Sequence, residues 1–379
     1  MENLNQTSSG RFFLLGLSNV FYLQGICFCV FLIMYLMTLS GNVLLIIVVR
    51  INSKLQTPMY FFLSNLSMID ICFSSTIVPK ILINTLSQDR SISLVGCALQ
   101  MYFHLTLGST ECILLAVMAY DRFAAICRPL HYQTIINKKM CILLASISWG
   151  VGFITASVHV PLTFQLPFCK SHHVNHFFCE MPPFFRLSCK DTRPNEIAMS
   201  ITAQFIVLCS FFLTLISYIH IISNVFKIRS SQGRDKAFST CASHLTVVSM
   251  YYGTLIFMYM KPRSADLPEI DKTVSLLYTA VTPMLNPIIY SMRNKDVKDT
   301  IKMKLFIFSG GTNFLRHRNN EKVPQKDYTL GASLPNVSQR TEFKHVPGPD
   351  IKAPDKSCPE KRDSCHLMVE APRLFEMRL

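Results

Sequence analysis

Charge is the property this chain has least of. Of 379 residues only 16% are charged and one is tryptophan, while half are hydrophobic and 28 are phenylalanine. Mean hydropathy is +0.31, which excludes an ordinary soluble domain of this size. No cleavable leader is expected either: Met1–Gly10 is polar, with neither a basic start nor an apolar core, so the first apolar run is expected to act as its own insertion signal. No internal repeat supports an inverted-repeat transporter. No Ser-His-Asp, metal-ligand or phosphate-loop arrangement supports an enzyme. A channel or transporter remains the competing class, because acids inside a membrane also mark ion pathways.

What the chain does have is long apolar runs. A helix crossing hydrocarbon needs roughly 20 mainly apolar residues, and seven such runs lie near 26–50, 57–80, 97–121, 140–161, 197–226, 238–260 and 271–291. Basic residues of short loops fall on one side: Arg50 and Lys54; Arg128, His131, Lys138 and Lys139; Lys227, Arg229, Arg234 and Lys236; Arg293, Lys295 and Lys298. That side is expected to be cytoplasmic. The expectation is a multi-pass plasma-membrane protein with residues 1–25 outside, the membrane-spanning domain over 26–291 and the C-terminus inside. The net charge of +14 then reflects topology and not nucleic-acid binding. Asn5-Gln6-Thr7 is a glycosylation sequon on the expected outer segment.

The longest loop between runs holds Cys169, Cys179 and Cys189, and Cys97 starts the third run. On an outer face these four thiols can oxidise in three pairings that spacing does not separate. His172, His173 and His176 make zinc the alternative, without the paired-Cys spacing of a structural site. Residues 292–305 alternate basic and apolar types at helical spacing, as in a helix lying on the inner leaflet. Residues 306–379 are rich in Lys, Arg, Asp, Glu, Pro, Ser and Asn and are expected to be a disordered cytoplasmic tail; Asn336-Val337-Ser338 there is a second sequon on the wrong side.

Ionisable groups within a spanning helix cost about 2.5–3.5 kcal/mol each on insertion scales, so each demands a partner or a use. Four stand out: Asp70, Glu111, Asp121 and Arg122. Pairing that merely glues helices is one reading. In the other, Asp121 and Arg122 form a breakable pair that would free Arg122 for a partner protein, while Asp70 and Glu111 share a sodium ion or a proton. The last run contains Pro283-Met-Leu-Asn286-Pro287-Ile-Ile-Tyr290. Its prolines free carbonyls for which Asn286 and water near Asp70 are the expected partners, giving a hinge or simply a bent helix.

These residues give the chain its resemblance. Gly41-Asn42, Pro58-Met-Tyr-Phe-Phe-Leu63 with Leu66-Ser67 and Asp70, Met118-Ala-Tyr-Asp-Arg-Phe-Ala-Ala-Ile-Cys127, Lys236-Ala-Phe-Ser-Thr-Cys-Ala-Ser-His-Leu245 and Pro283 to Asn294 resemble the olfactory receptors, a branch of the rhodopsin-like G-protein-coupled receptors. The second and fourth of these motifs mark the olfactory branch; the Asp-Arg pair and Asn-Pro-x-x-Tyr mark only the wider superfamily. The resemblance implies a seven-transmembrane helix bundle, all α, with a short amphipathic eighth helix. It also implies the disulfides Cys97–Cys179 and Cys169–Cys189, and a heterotrimeric stimulatory olfactory-type G protein that raises cyclic AMP. Phe123 stands where that family usually has Tyr, Ala124 where Val is common, and Tyr251 where Phe usually precedes Tyr252-Gly253; the long tail is a larger departure.

By the same resemblance a small odorant sits in the outer half of the bundle. His104, Leu105, Gly108, Ser109 and Cys112 would share one face of the third helix. Thr202 and Ile206 in the fifth, Tyr252, Leu255, Ile256 and Tyr259 in the sixth, and Leu276 and Thr279 in the seventh complete it by family position. No carboxylate is expected on that face, so a neutral volatile molecule suits it better than an amine. For about a dozen heavy atoms at about 0.3 to 1.5 kcal/mol each, binding should be micromolar. Ligand contacts near His104 and Tyr252 would bias the sixth helix outward and free Arg122 to meet the G protein beside Tyr218, Lys236 and Tyr290. Asn286 and Pro287 belong to the same switch. No resident cofactor is expected beyond the sodium ion at Asp70 and Glu111.

Overall fold

The computed structural model describes residues 10–16, 21–87, 89–169, 171–260, 268–293 and 297–300. The chain divides into two units, Met1–Met303 and Lys304–Leu379. The whole second unit lies outside the described residues, and with it the expected tail and Asn336; Asn5 lies outside them as well.

Seven long helices build the first unit. They are α1 (Phe21–Ile51), α2 (Pro58–Leu86), α3 (Leu94–Cys127), α4 (Lys138–Phe164), α5 (Arg193–Phe226), α6 (Ser231–Met260) and α7, which runs as Pro268–Leu276, Leu277–Val281 and Thr282–Arg293. Among the described residues, α1 to α6 each contain an apolar stretch long enough to cross a membrane; α7 does not reach that length in one piece because its middle segment divides it. Several helices outrun their apolar runs. The third run ends at Asp121, yet α3 continues to Cys127, because the charges at its end are satisfied inside the protein.

Apolar side chains point outward in numbers no aqueous surface would tolerate. Ile154, Phe205 and Leu213 are 67%, 70% and 60% exposed, which is the pattern of helices solvated by lipid. Inside, hydroxyls return to their own helix: Ser74 donates to the Asp70 carbonyl at 2.8 Å and Ser148 to that of Leu144 at 2.8 Å, since no water is there to accept. α3 packs against α2, α4, α5 and α6. Its approach to α4 depends on Gly152, where a Cβ would stand 2.5 Å from the Thr106 carbonyl oxygen. α1 and α7 meet in the same manner at Gly41, whose added Cβ would lie 2.9 Å from Pro287 Cγ.

One end of the bundle carries a small sheet that periodicity did not suggest. β1 (Arg11–Leu14) pairs antiparallel with β2 (Ser91–Ser93) and parallel with β3 (His173–Val174). Alternation explains β1: Phe12 and Leu14 are buried while Arg11 and Phe13 are exposed. Four residues are too few to stand out in a polar leader, and their partners are distant in sequence. Disulfides join Cys97 to Cys179 and Cys169 to Cys189, with Cα atoms 5.5 and 5.8 Å apart. Gln100 ties the same region together, donating to the Thr76 carbonyl at 2.9 Å and accepting from the Cys179 amide at 2.8 Å.

The prolines of α7 are answered differently from expectation. Pro287 lacks the N–H that would bond the Pro283 carbonyl, and Asn42 of α1 donates to that oxygen at 3.1 Å. Asn286 instead donates to both carboxylate oxygens of Asp70, at 3.1 and 3.0 Å. The freed carbonyl faces α1 and the Asn286 amide faces α2, so one asparagine could not serve both. Leu277–Val281 is a π-helical turn, a widening that precedes the missing Pro283 donor; the Leu277 carbonyl accepts both the amide and the hydroxyl of Thr282. Beyond Arg293, only 297–300 of the expected 292–305 helix is described: it is helical, and Asn52 donates to Thr300 Oγ1 at 2.8 Å.

Candidate functional site

A cavity opens among the helices on the disulfide side of the bundle, with about 710 Å³ of empty space that includes its open mouth. The face of α3 read from spacing lines it: His104, Leu105, Gly108, Ser109 and Cys112. Thr202 and Ile206 of α5 and Leu255 of α6 are also in its wall. Tyr252, Ile256, Leu276 and Thr279 are not. Tyr252 is buried below, donating to the Cys112 carbonyl at 2.9 Å; Thr279 turns back to the Ser275 carbonyl at 2.6 Å; Leu276 and Ile256 pack on the core. The Tyr259 side chain lies outside the described residues.

Sequence reasoning missed several wall residues. Tyr251, the departure from the family pattern, lines the cavity and donates to the Gly108 carbonyl at 2.7 Å. α4 contributes Thr155 and His159, and His159 Nε2 lies 3.1 Å from Thr202 Oγ1, tying α4 to α5. Glu111 is also in the wall, which corrects the expectation that no carboxylate faces the ligand. The signal was available, since Glu111 follows His104 by seven residues and Gly108 by three, on the same helical face.

The long loop covers the cavity. Its Phe178, held beside the Cys97–Cys179 bridge, packs at a tilt against His104 with ring centroids 4.9 Å apart, and Phe73 lies 5.2 Å from the same imidazole. Loop residues His176 and Glu180 stand 3.3 Å apart, and Tyr278 donates to Glu180 at 3.4 Å. Burial, with Asp271 adding to it, pushes the Glu180 carboxyl up to about 7. Burial, helped by His104 and Lys272, pushes the His176 imidazolium down to about 3. The distance is that of an ion pair, but desolvation dominates on both sides, so the imidazole is uncharged at neutral pH and no hydrogen bond joins its Nε2 to Glu180 among the described residues.

At the opposite end Asp121 and Arg122, 0% and 6% exposed, hold each other: Arg122 Nη2 and Nε donate to Asp121 Oδ2 at 2.6 and 3.1 Å. Tyr132, which the sequence reading passed over, donates to Asp121 Oδ1 at 2.7 Å; burial and that carboxylate push its phenol well above the ordinary range. Tyr218 of α5 is 2.6 Å from His244 Nδ1 of α6, linking the two helices beside Arg122. The hydroxyl of Tyr290 has no partner among the described residues, and the Lys236 side chain lies outside them. The wall and the arginine lock are thus joined through α6, whose Tyr251 and Tyr252 grip α3 and whose His244 grips α5.

Comparison with known proteins fixes what kind of molecule this is. The profile described as olfactory receptor matches residues 30–307. The chain belongs to the olfactory receptor family. It is 48% identical over 302 residues to Olfactory receptor 5AP2 of Mus musculus, covering 80% of this chain and 95% of that one. It is 47% identical to Olfactory receptor 2T10 of Homo sapiens, covering 81% and 98%, and 49% identical to Olfactory receptor-like protein OLF1 of Canis lupus familiaris, covering 79% and 96%. As an olfactory receptor it is a multi-pass membrane protein of the odorant-sensing, G-protein-coupled kind and not an enzyme. The olfactory receptors matched account for about four-fifths of the chain.

Proposed function

We propose that this receptor binds small, mostly apolar volatile molecules in the cavity beneath the disulfide-held loop and activates a stimulatory olfactory-type G protein that raises cyclic AMP. In this reading the N-terminus is outside and the C-terminus, with the Arg122 end of the bundle, is cytoplasmic. The observation that carries it is the mechanical path from cavity to lock. A ligand pressing on Tyr251 competes with its bond to the Gly108 carbonyl, and loosening α6 from α3 also strains the Tyr218–His244 contact. α6 then moves away from α5, and Arg122 exchanges Asp121 for the G protein. Only the difference in ligand affinity between the closed and open bundles drives this step.

Asp70 and Glu111 belong to the same path. Their carboxylates, with the unpartnered Oδ1 of Asn286 and Oε1 of Glu111, are hard oxygen donors of the type sodium accepts, and a sodium ion or a shared proton there would favour the closed bundle by neutralising the two acids. The deciding experiment measures cyclic AMP in cells expressing the receptor against an odorant panel, with surface staining. The expected result is a response that disappears in surface-delivered Arg122→Ala; a normal response in that variant refutes the proposed lock.

A further inference from the structure

A second cavity, with about 400 Å³ of empty space that includes its open mouth, lies between α1 and α2. Its wall holds Cys27 of α1, Ile81, Asn84 and Thr85 of α2, and Arg90 and Phe177 from the segments beside the small sheet. It shares no wall residue with the first cavity. Asn84 is 7% exposed, and neither its Oδ1 nor its Nδ2 has a partner among the described residues. The last turns of α2 are otherwise open, with Ile83 and Leu86 exposed, so Asn84 is the residue there that turns inward. A buried amide with both ends unmet is costly, because water would satisfy both. A leucine of similar volume would fill the place without that cost. The neighbouring polar groups are directed elsewhere: the Thr85 hydroxyl donates to the Leu82 carbonyl at 2.8 Å and Arg90 Nη1 to the Leu15 carbonyl at 2.9 Å.

The two unmet atoms specify what would answer them. Oδ1 accepts and Nδ2 donates, so the complement is a molecule that carries one acceptor and one donor side by side. A lactam has that edge, with its N–H and C=O held on the same side of the ring. An ester lacks the donor, and a carboxylate would set its oxygens against Oδ1. Among the described residues no acid lines this wall, so an amine finds no counter-charge. The Arg90 guanidinium instead gives the space a positive potential, which favours the oxygen end of an amide. Ile81 and Phe177, both buried, supply apolar contact for a hydrocarbon ring. We propose that this cavity is a binding site for small cyclic amides, the lactam carbonyl accepting from Asn84 Nδ2 and the lactam N–H donating to Asn84 Oδ1. The inference stands apart from the odorant reading, which concerns the other cavity.

The test uses the full-length receptor in lipid nanodiscs and follows the thermal unfolding midpoint against δ-valerolactam, its N-methyl derivative, δ-valerolactone and valerate. The four are close in size, and only δ-valerolactam carries donor and acceptor on one edge. It should raise the midpoint saturably, with half-saturation at a concentration about tenfold or more below that of the other three, because each of those leaves Asn84 Oδ1 unmet. Asn84→Leu removes an unpaired buried polar group and should not weaken the fold, yet it should abolish the δ-valerolactam response. If Asn84→Leu does not fold, the ranking of the four probes on the unaltered receptor decides. Any of the other three binding as tightly as δ-valerolactam overturns the proposal, as does a δ-valerolactam response that persists in Asn84→Leu. No stabilisation by δ-valerolactam overturns it as well. Each of these results leaves the first cavity's reading intact, since the two walls have no residue in common.

Discussion

Replacing Gly152 by alanine should force α3 and α4 apart beside the cavity. The new methyl carbon would lie 2.5 Å from the Thr106 carbonyl oxygen and against Thr110 Oγ1, where ordinary contact begins near 3.4 Å. The obstacle is backbone, which cannot rotate aside, so the helices must separate by most of an ångström. Overpacking of this kind costs about 1–3 kcal/mol. Gly150, on the same helix, provides the control: a Cβ there meets nothing within 4 Å, and alanine should gain about 0.5–1 kcal/mol from helix propensity. The two variants add the same methyl to the same helix and should move the unfolding midpoint in opposite directions. The assay is thermal unfolding of both purified variants in nanodiscs, together with their response to a ligand of the parent receptor. Gly152→Ala should also weaken that response, because Thr155 and His159 one and two turns on line the cavity. Equal midpoints for Gly152→Ala and Gly150→Ala would show that α3 and α4 are not packed as described.

Tyr132→Phe removes the donor to Asp121 Oδ1, a hydrogen bond to a charged group worth about 1.5–3 kcal/mol; basal cyclic AMP per surface receptor should rise, and no rise at matched surface density removes Tyr132 from the lock. Glu180, whose buried carboxyl is held at about 7 against an ordinary 4.5, favours the folded state fully at low pH. That contribution is lost as pH rises from about 4.5 through about 7, and a midpoint–pH profile should lose this decline in Glu180→Gln. His176, depressed to about 3, acts with the opposite sign: its contribution is present above about 6.5 and fades on acidification, so His176→Gln should flatten the acid arm.

The helices were legible because lipid imposes a length and a composition on every spanning segment, and six of the seven apolar runs reappear within helices that qualify by the same criteria. The third-helix face of the cavity was legible for a related reason, since His104, Gly108 and Cys112 recur at helical spacing. What escaped depended on approach between distant segments. Thr155 and His159 line the cavity because Gly152 lets α4 come close, and nothing in local sequence announces that. Tyr252 and Tyr251 are adjacent residues on one helix, and only the rotation of α6 decides which one faces the cavity and which is buried against α3. Asn42 was visible as a motif residue, but its bond to the Pro283 carbonyl needs the crossing of α1 and α7 that Gly41 permits. Glu111 was misjudged for a different reason: it was assigned to Asp70 as a partner and so was not considered as part of the wall.

The sheet sets an order of events during synthesis. β1 leaves the ribosome before any spanning helix, β2 follows the second, and β3 emerges only after the fourth. The antiparallel half of the sheet can therefore form early, while the parallel pairing of Phe13 with His173 and Leu14 with Val174 must wait until four helices are in the bilayer. Such a distant pairing is slow to close, and it becomes the checkpoint at which the earliest and later parts of the chain are first inspected against each other.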